Sequence, residues 1–160
     1  MKKRRKPRKR VSKAIPAKGR LRDMADQLWS IAVRSDWSGT CAVCNVRKCE
    51  AHHLIPRQYE ATRRDLQNGI ALCAKHHKFD PLQAPHQNAA GWLIWLESHY
   101  PVTYRWYYNA METGNYRSFR GTTNPNYYCD EIRRLRPYVC DEDYVRVVGV
   151  KFAKWLEENE

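Results

Sequence analysis

The sequence predicts an α+β chain: a small zinc-bound ββα module embedded in a mostly helical domain, behind a disordered basic arm. Three observations predict it. Residues 41–78 gather four of the six cysteines and four of the six histidines. Apolar side chains recur at helical spacing over 20–34 and again beyond residue 88. The net charge of +12 lies wholly in the first 22 residues, which hold twelve Lys/Arg and no acid; the other 17 basic residues are matched by 17 acidic ones. At 160 residues the chain should form one domain with an added tail. Residues 1–20 are read as the arm and 21–160 as the domain. The domain divides into a lead-in helix (21–40), a core (41–80) and a helical extension (81–160).

The arm, MKKRRKPRKRVSKAIPAKGR, repels itself and has too few apolar residues to pack, so it should be disordered when free. Such a segment binds nucleic-acid phosphates by counterion release, without reading sequence. The plainer reading is a solvated tail. No apolar h-region follows it and no run approaches a membrane span, so neither secretion nor a membrane partner is expected. Paired cysteine spacings favour metal over disulfides, and hence a reducing cytoplasm.

Leu21, Met24, Ala25, Leu28, Ile31 and Ala32 keep i, i+3, i+4, i+7 spacing and predict an amphipathic helix over 20–34. Asp36-Trp37-Ser38-Gly39 ends it. Cys41-x-x-Cys44 then has the spacing of a zinc knuckle, and Cys73-x-x-His76 repeats it, completing a tetrahedral set. Cys49 is the alternative fourth ligand. His76 is preferred, because Cys49 enters a strand leading away from the knuckle. Residues 49–54 and 69–72 read as strands, and Ala74–Phe79 as the start of a helix.

Beyond Phe79 the chain turns aromatic and helical. Asn88 should cap a helix over 89–99, stopped by Pro101, and a second helix over 102–113 should end at Gly114. Their residues Trp92, Trp95, Tyr104, Trp106, Tyr107, Tyr108 and Met111 are read as core; base stacking is the other use for them. Residues 115–125 read as a loop and Pro125–Arg136 as a short helix. Asp141–Glu158 reads as a last amphipathic helix, although its valines leave a strand open. Cys129 and Cys140 are read as buried thiols, and His86 and His99 receive no role.

Set together, His52-His53-Leu54-Ile55-Pro56, Asn68, and Leu72-Cys73-Ala74-Lys75-His76-His77 resemble the HNH (ββα-metal) endonuclease family. The intervals of 15 residues from His53 to Asn68 and 9 from Asn68 to His77 fit it. The lead-in Leu28-Trp29-Ser30 resembles that of phage HNH proteins. The resemblance is specific over 21–80 and weaker over 81–113. It implies a metal-dependent DNA endonuclease, phage-encoded and acting in the bacterial host cytoplasm. His52 and His77 would hold a catalytic divalent ion. His53 would be the general base, and Asn68 would hold the loop that carries it. Cys41, Cys44, Cys73 and His76 would hold structural Zn²⁺. Adjacent strand residues point to opposite faces, so His52 and His53 can serve one phosphate only if the chain bends there.

Many family members have Asp where His52 stands. Two nitrogen ligands shift preference toward Mn²⁺, Ni²⁺ or Zn²⁺, with Mg²⁺ kept open by water and phosphate oxygens. Arg57, Arg63 and Arg64 on the loop between the strands, with Lys75 and Lys78, are candidate DNA phosphate contacts. Nicking, double-strand cutting and junction cutting share this chemistry. The rival reading is a non-catalytic zinc protein that binds nucleic acid, an accessory in phage recombination or packaging. It has no use for His53, Asn68 and His77.

Overall fold

A computed structural model describes residues 15–118 and 126–159. The arm expected over 1–20 falls largely outside them. Its last residues do not: helix α1, Lys18–Asp36, starts inside the expected arm. Its buried positions are Leu21, Met24, Ala25, Leu28, Trp29, Ala32 and Val33, one continuous stripe at helical spacing. A turn follows at the expected break, Asp36-Trp37-Ser38-Gly39. Ser38 (φ 54°) and Gly39 (φ 69°) reverse the chain there, and Thr40 bridges to Arg47 around the knuckle.

Strands β1, Cys49–His53, and β2, Gly69–Cys73, form an antiparallel ribbon with Cys49 opposite Cys73 and His53 opposite Gly69. A two-stranded ribbon is marginal alone. Here α1 covers one face, and α2, Ala89–His99, packs near the other with Trp92, Trp95 and Leu96 buried beside Ile70 and Leu72. The Asn88 side chain accepts the Gly91 N–H at 2.9 Å, capping α2 as expected. Just past α2, the Tyr100 hydroxyl donates to the Ala42 carbonyl at 2.9 Å and ties the helix end to the knuckle. After β2 the chain makes a single wide helical turn, Lys75–Phe79, and no longer helix.

Helix α3, Pro101–Thr113, departs from expectation. It ends at Gly114 in the left-handed region (φ 67°), but none of its residues is fully buried. It lies on α2 and turns its other side outward, so Tyr104, Trp106 and Tyr107 are half-buried while Tyr108 and Met111 are exposed. The core they were expected to fill is built elsewhere. Helices α4 (Tyr127–Leu135), α5 (Asp141–Val148) and α6 (Val150–Glu158) close on α1 through Tyr128, Ile132, Leu135, Tyr144, Val148, Phe152 and Leu156. The single helix expected over 141–158 is two, because Gly149 at φ 83° breaks it. Cys129 is buried as expected. Cys140 is exposed, standing just before α5 with its Sγ 3.5 Å from Asp143. Of the loop expected over 115–125, Asn115–Arg117 forms a tight helical turn and 119–125 lie outside the described residues. Among the described residues no helix is long and apolar enough to cross a membrane.

Helix α1 meets the ribbon at Gly69. A Cβ there would stand 2.2 Å from Val33 Cγ2 and 3.1 Å from the Trp29 ring. Gly69→Ala should therefore cost about 1–3 kcal/mol, as overpacking does in a fixed core, read as a lower denaturation midpoint at unchanged slope. An unchanged midpoint would show that α1 can move away freely.

Candidate metal centres

The knuckle turn is shaped by its backbone. Cys41 N–H donates to Val46 O, Asn45 N–H returns to Cys41 O, and Asn45 takes φ 57°, which suits Asn. Ala42 N–H donates to Ala71 O at 2.9 Å, docking the turn on β2. This docking brings Cys41 and Cys44 to Cys73 and His76. Cys44 Sγ lies 3.8 Å from Cys73 Sγ, and His76 Nδ1 lies 3.3 Å from Cys73 Sγ and 3.7 Å from Cys41 Sγ. Thiolates about 2.3 Å from one tetrahedral zinc stand roughly 3.8 Å apart, and a nitrogen ligand slightly closer. The donor set fits Zn²⁺.

Burial would raise the Cys41 thiol, but backbone hydrogen bonds at Cys73, Val43 and Cys44, joined by His76, bring it down to about 6. That favours the thiolate, which is the metal-binding form. Asp80 stands 3.9 Å from His76 Nε2, on the ring's other edge. Cys49 is not part of this cluster. It lines a separate depression with Ile31 and Arg34, on the α1 side of the ribbon. Along β1, Cys49, Ala51 and His53 face α1, while Glu50 and His52 face the other way.

The second cluster is histidine. His52, His77 and His86 offer ring nitrogens within 4.8 Å of one another. His77 Nδ1 lies 2.8 Å from Glu50 Oε2 and His77 Nε2 lies 3.2 Å from His86 Nε2. Because Glu50 can only accept, Nδ1 carries the proton and Nε2 keeps its lone pair toward His86. Two nitrogens on one tetrahedral ion stand roughly 3.3 Å apart, so this spacing also fits a metal. Burial, with the nearby His77 and His86, pushes His52 down to about 3. Burial holds His77 low as well, against the pull of Glu50. Rings kept neutral are rings available as ligands.

His86 and Glu50 were missed from sequence. Glu50 was readable, since a residue two before His52 in a strand shares its face. His86 was not, because the turns at 80–88 carry no periodicity.

His53 ends β1 on the α1 face. Its ring stacks on Trp29 (centroids 3.8 Å apart, planes at 18°), and its Nε2 donates to the Arg63 carbonyl at 2.8 Å. Nδ1 is then the acceptor. Burial pushes the ring down to about 4, so it is neutral at neutral pH. Although their faces alternate, His52 and His53 line one cleft of about 750 Å³ with His77, His86 and Arg57. They meet at the end of β1, with His52 and His53 still in regular pairing with Ile70 and Gly69. Asn68 shapes that point. It is fully buried, its Oδ1 accepts from Ile55 N–H at 2.7 Å, and its Nδ2 donates to Ile55 O and Thr62 O at 3.0 and 2.9 Å.

The basic residues divide. Arg57 is exposed, lines the cleft and forms no ion pair among the described residues. Lys75 and Lys78 face solvent, 3.7 Å from Asp80 and 2.9 Å from Glu50. Arg63 and Arg64 do not suit phosphate contact, contrary to expectation. Arg63 donates bidentately to Asp26 of α1, and Arg64, 1 % exposed, spans Asp26 and Glu60 at 2.9 and 2.7 Å beneath the Tyr128 ring. They clamp the loop to α1.

Purified protein should retain zinc at the clip through dialysis. Cys41→Ser or Cys73→Ser should lose it and unfold, because structural zinc contributes folding free energy directly. Cys49→Ser should keep both zinc and fold. Elemental analysis with circular dichroism reads each, and a folded, zinc-free wild type would refute the site.

No curated protein and no solved structure matches the chain. Residues 41–79, the span of the knuckle, both strands and the helical turn, match the family of the HNH endonuclease. The segment that carries the clip and two of the three clustered histidines is similar to HNH endonuclease domains.

Proposed function

We propose that this chain is a metal-dependent DNA endonuclease that hydrolyses phosphodiester bonds at the histidine cleft. The observation that carries the reading is the pairing of two differently prepared histidines there. His77 is turned by a carboxylate to offer Nε2 toward His52 and His86. His53 is turned by a carbonyl to offer Nδ1 as a base. A packing role needs neither arrangement, and a purely structural zinc protein would use the clip alone.

His52, His77 and His86 would hold the divalent ion. When bound, it would supply Lewis-acid stabilisation of the phosphate and of the charge growing on the leaving 3′ oxygen. His53 Nδ1 takes the proton of the attacking water, and the Arg63 carbonyl stabilises the imidazolium that results by accepting from Nε2–H. Trp29 keeps the ring from turning. Asn68 holds Ile55 and Thr62, the residue just before Arg63, so it is a positioning residue. Arg57, on the cleft, would neutralise a neighbouring phosphate. Three imidazoles favour Mn²⁺, Ni²⁺ or Zn²⁺ over Mg²⁺, which prefers oxygen. The products would be 5′-phosphate and 3′-hydroxyl ends, and a phage gene is the source we infer.

Incubating the protein with supercoiled and linear DNA, with and without Mn²⁺ or Mg²⁺, tests the activity. His53→Ala should keep zinc at the clip and cut roughly 10²–10⁴-fold more slowly, the usual cost of losing a general base. Cleavage at the wild-type rate would leave the zinc-binding accessory reading in its place.

Glu50→Gln should weaken metal binding at the histidines about 10–100-fold, as losing an outer carboxylate does, without removing a ligand. Calorimetric titration with Mn²⁺ of zinc-loaded protein reads this. Equal affinity would mean that Glu50 serves Lys78 only.

A further inference from the structure

The histidine cleft has a second wall that hydrolysis of a phosphate does not require. Besides the imidazoles, the cleft is lined by Leu93 of α2 and by Tyr107 and Met111 of α3. Trp92 joins the two sides: it stands edge-on to His52, with centroids 6.3 Å apart and planes at 86°, and stacks on Trp95 behind. Tyr107 and Met111 come from α3, which has no fully buried residue, and Met111 is left 42 % exposed. Outward apolar and aromatic residues beside a polar centre mark a binding surface.

We infer that this wall receives one unpaired nucleobase of the DNA, so the substrate is single-stranded or carries an unstacked nucleotide at the cut. The inference rests on the nuclease reading and names its substrate class. Three observations select this occupant. The polar side of the cleft suits a phosphate, with its histidines and Arg57, which forms no ion pair among the described residues. The apolar side suits a flat, weakly polar ring. At about 750 Å³ the cleft is within the usual range for sites that enclose a small molecule or a single nucleotide. A nucleotide out of its stack offers a phosphate and a free π-face on one unit. A paired duplex presents phosphates, but its base faces are covered by their neighbours.

The test compares binding to three DNAs of the same sequence: a fully paired duplex, that duplex with one unpaired nucleotide, and the single strand. Full-length, zinc-loaded protein is titrated without added Mg²⁺ or Mn²⁺, and 2-aminopurine at the unpaired position reports its environment. The wild type should bind the two unpaired DNAs at least tenfold more tightly than the duplex and change the 2-aminopurine signal. Tyr107→Ala should remove roughly five- to hundredfold of that preference, the usual effect of losing a base–aromatic stack, and leave duplex binding unchanged. Tyr107→Phe should keep it. Met111→Ala, at an exposed position, should reduce the preference in a variant whose folding is not at risk. Equal affinity for all three DNAs, or equal weakening of all three by Tyr107→Ala, overturns the inference. Such a result with continued cutting of paired DNA leaves the nuclease reading standing. Selective binding without any cutting would instead sustain the pocket and defeat the nuclease reading.

Discussion

The contact of α1 with the bare backbone of Gly69 is the constraint on which the histidine cleft depends. With no side chain at Gly69, Val33 and the Trp29 ring reach the ribbon itself. Trp29 can then lie flat on His53, whose strand partner is Gly69, while its Nε1 donates to the Asp65 carbonyl at 2.8 Å. One helix residue thus sets the plane of the proposed base and holds the loop behind it. Asp26, one turn earlier, holds the same loop through Arg63 and Arg64.

Those two arginines show how burial changes the meaning of a charge. On the sequence they belong to a basic loop facing DNA. In the fold Arg64 is enclosed between two carboxylates and an aromatic ring, and removing either carboxylate would leave a buried charge only half compensated. What they fix is the position of the Arg63 carbonyl, the acceptor that selects the tautomer of His53. Their effect on the chemistry would pass through geometry, with no contact to phosphate.

The two clusters share a ribbon but divide its neighbours. The clip joins the knuckle to the end of β2 and the turn after it, closing a module too small to bury much apolar surface. The histidine cluster draws on the opposite end of β1 and on the turn that precedes α2. His76 and His77 are adjacent and serve different clusters because the single helical turn points them about a quarter-turn or more apart. Fixing His76 in the clip therefore also orients His77 toward Glu50 and His86.

Much of this was legible in the sequence because it is local. The x-x spacing of Cys41/Cys44 and Cys73/His76, the stripe along α1, the cap at Asn88 and the stop at Gly114 each follow from a few neighbouring residues. So did the α+β class, whereas the grouping of His52 with His77 was what the HNH resemblance implied. What the tertiary structure alone decided depends on residues far apart in the chain. His86 reaches the cluster over an aperiodic turn, Arg64 finds Asp26 of α1 38 positions earlier, and α3 leaves Tyr108 and Met111 exposed while α4, α5 and α6 close on α1. Gly149 splits the last helix through a positive φ that apolar periodicity does not encode. Spacing reports which side chains share an element's face; which faces meet is settled by packing the whole chain.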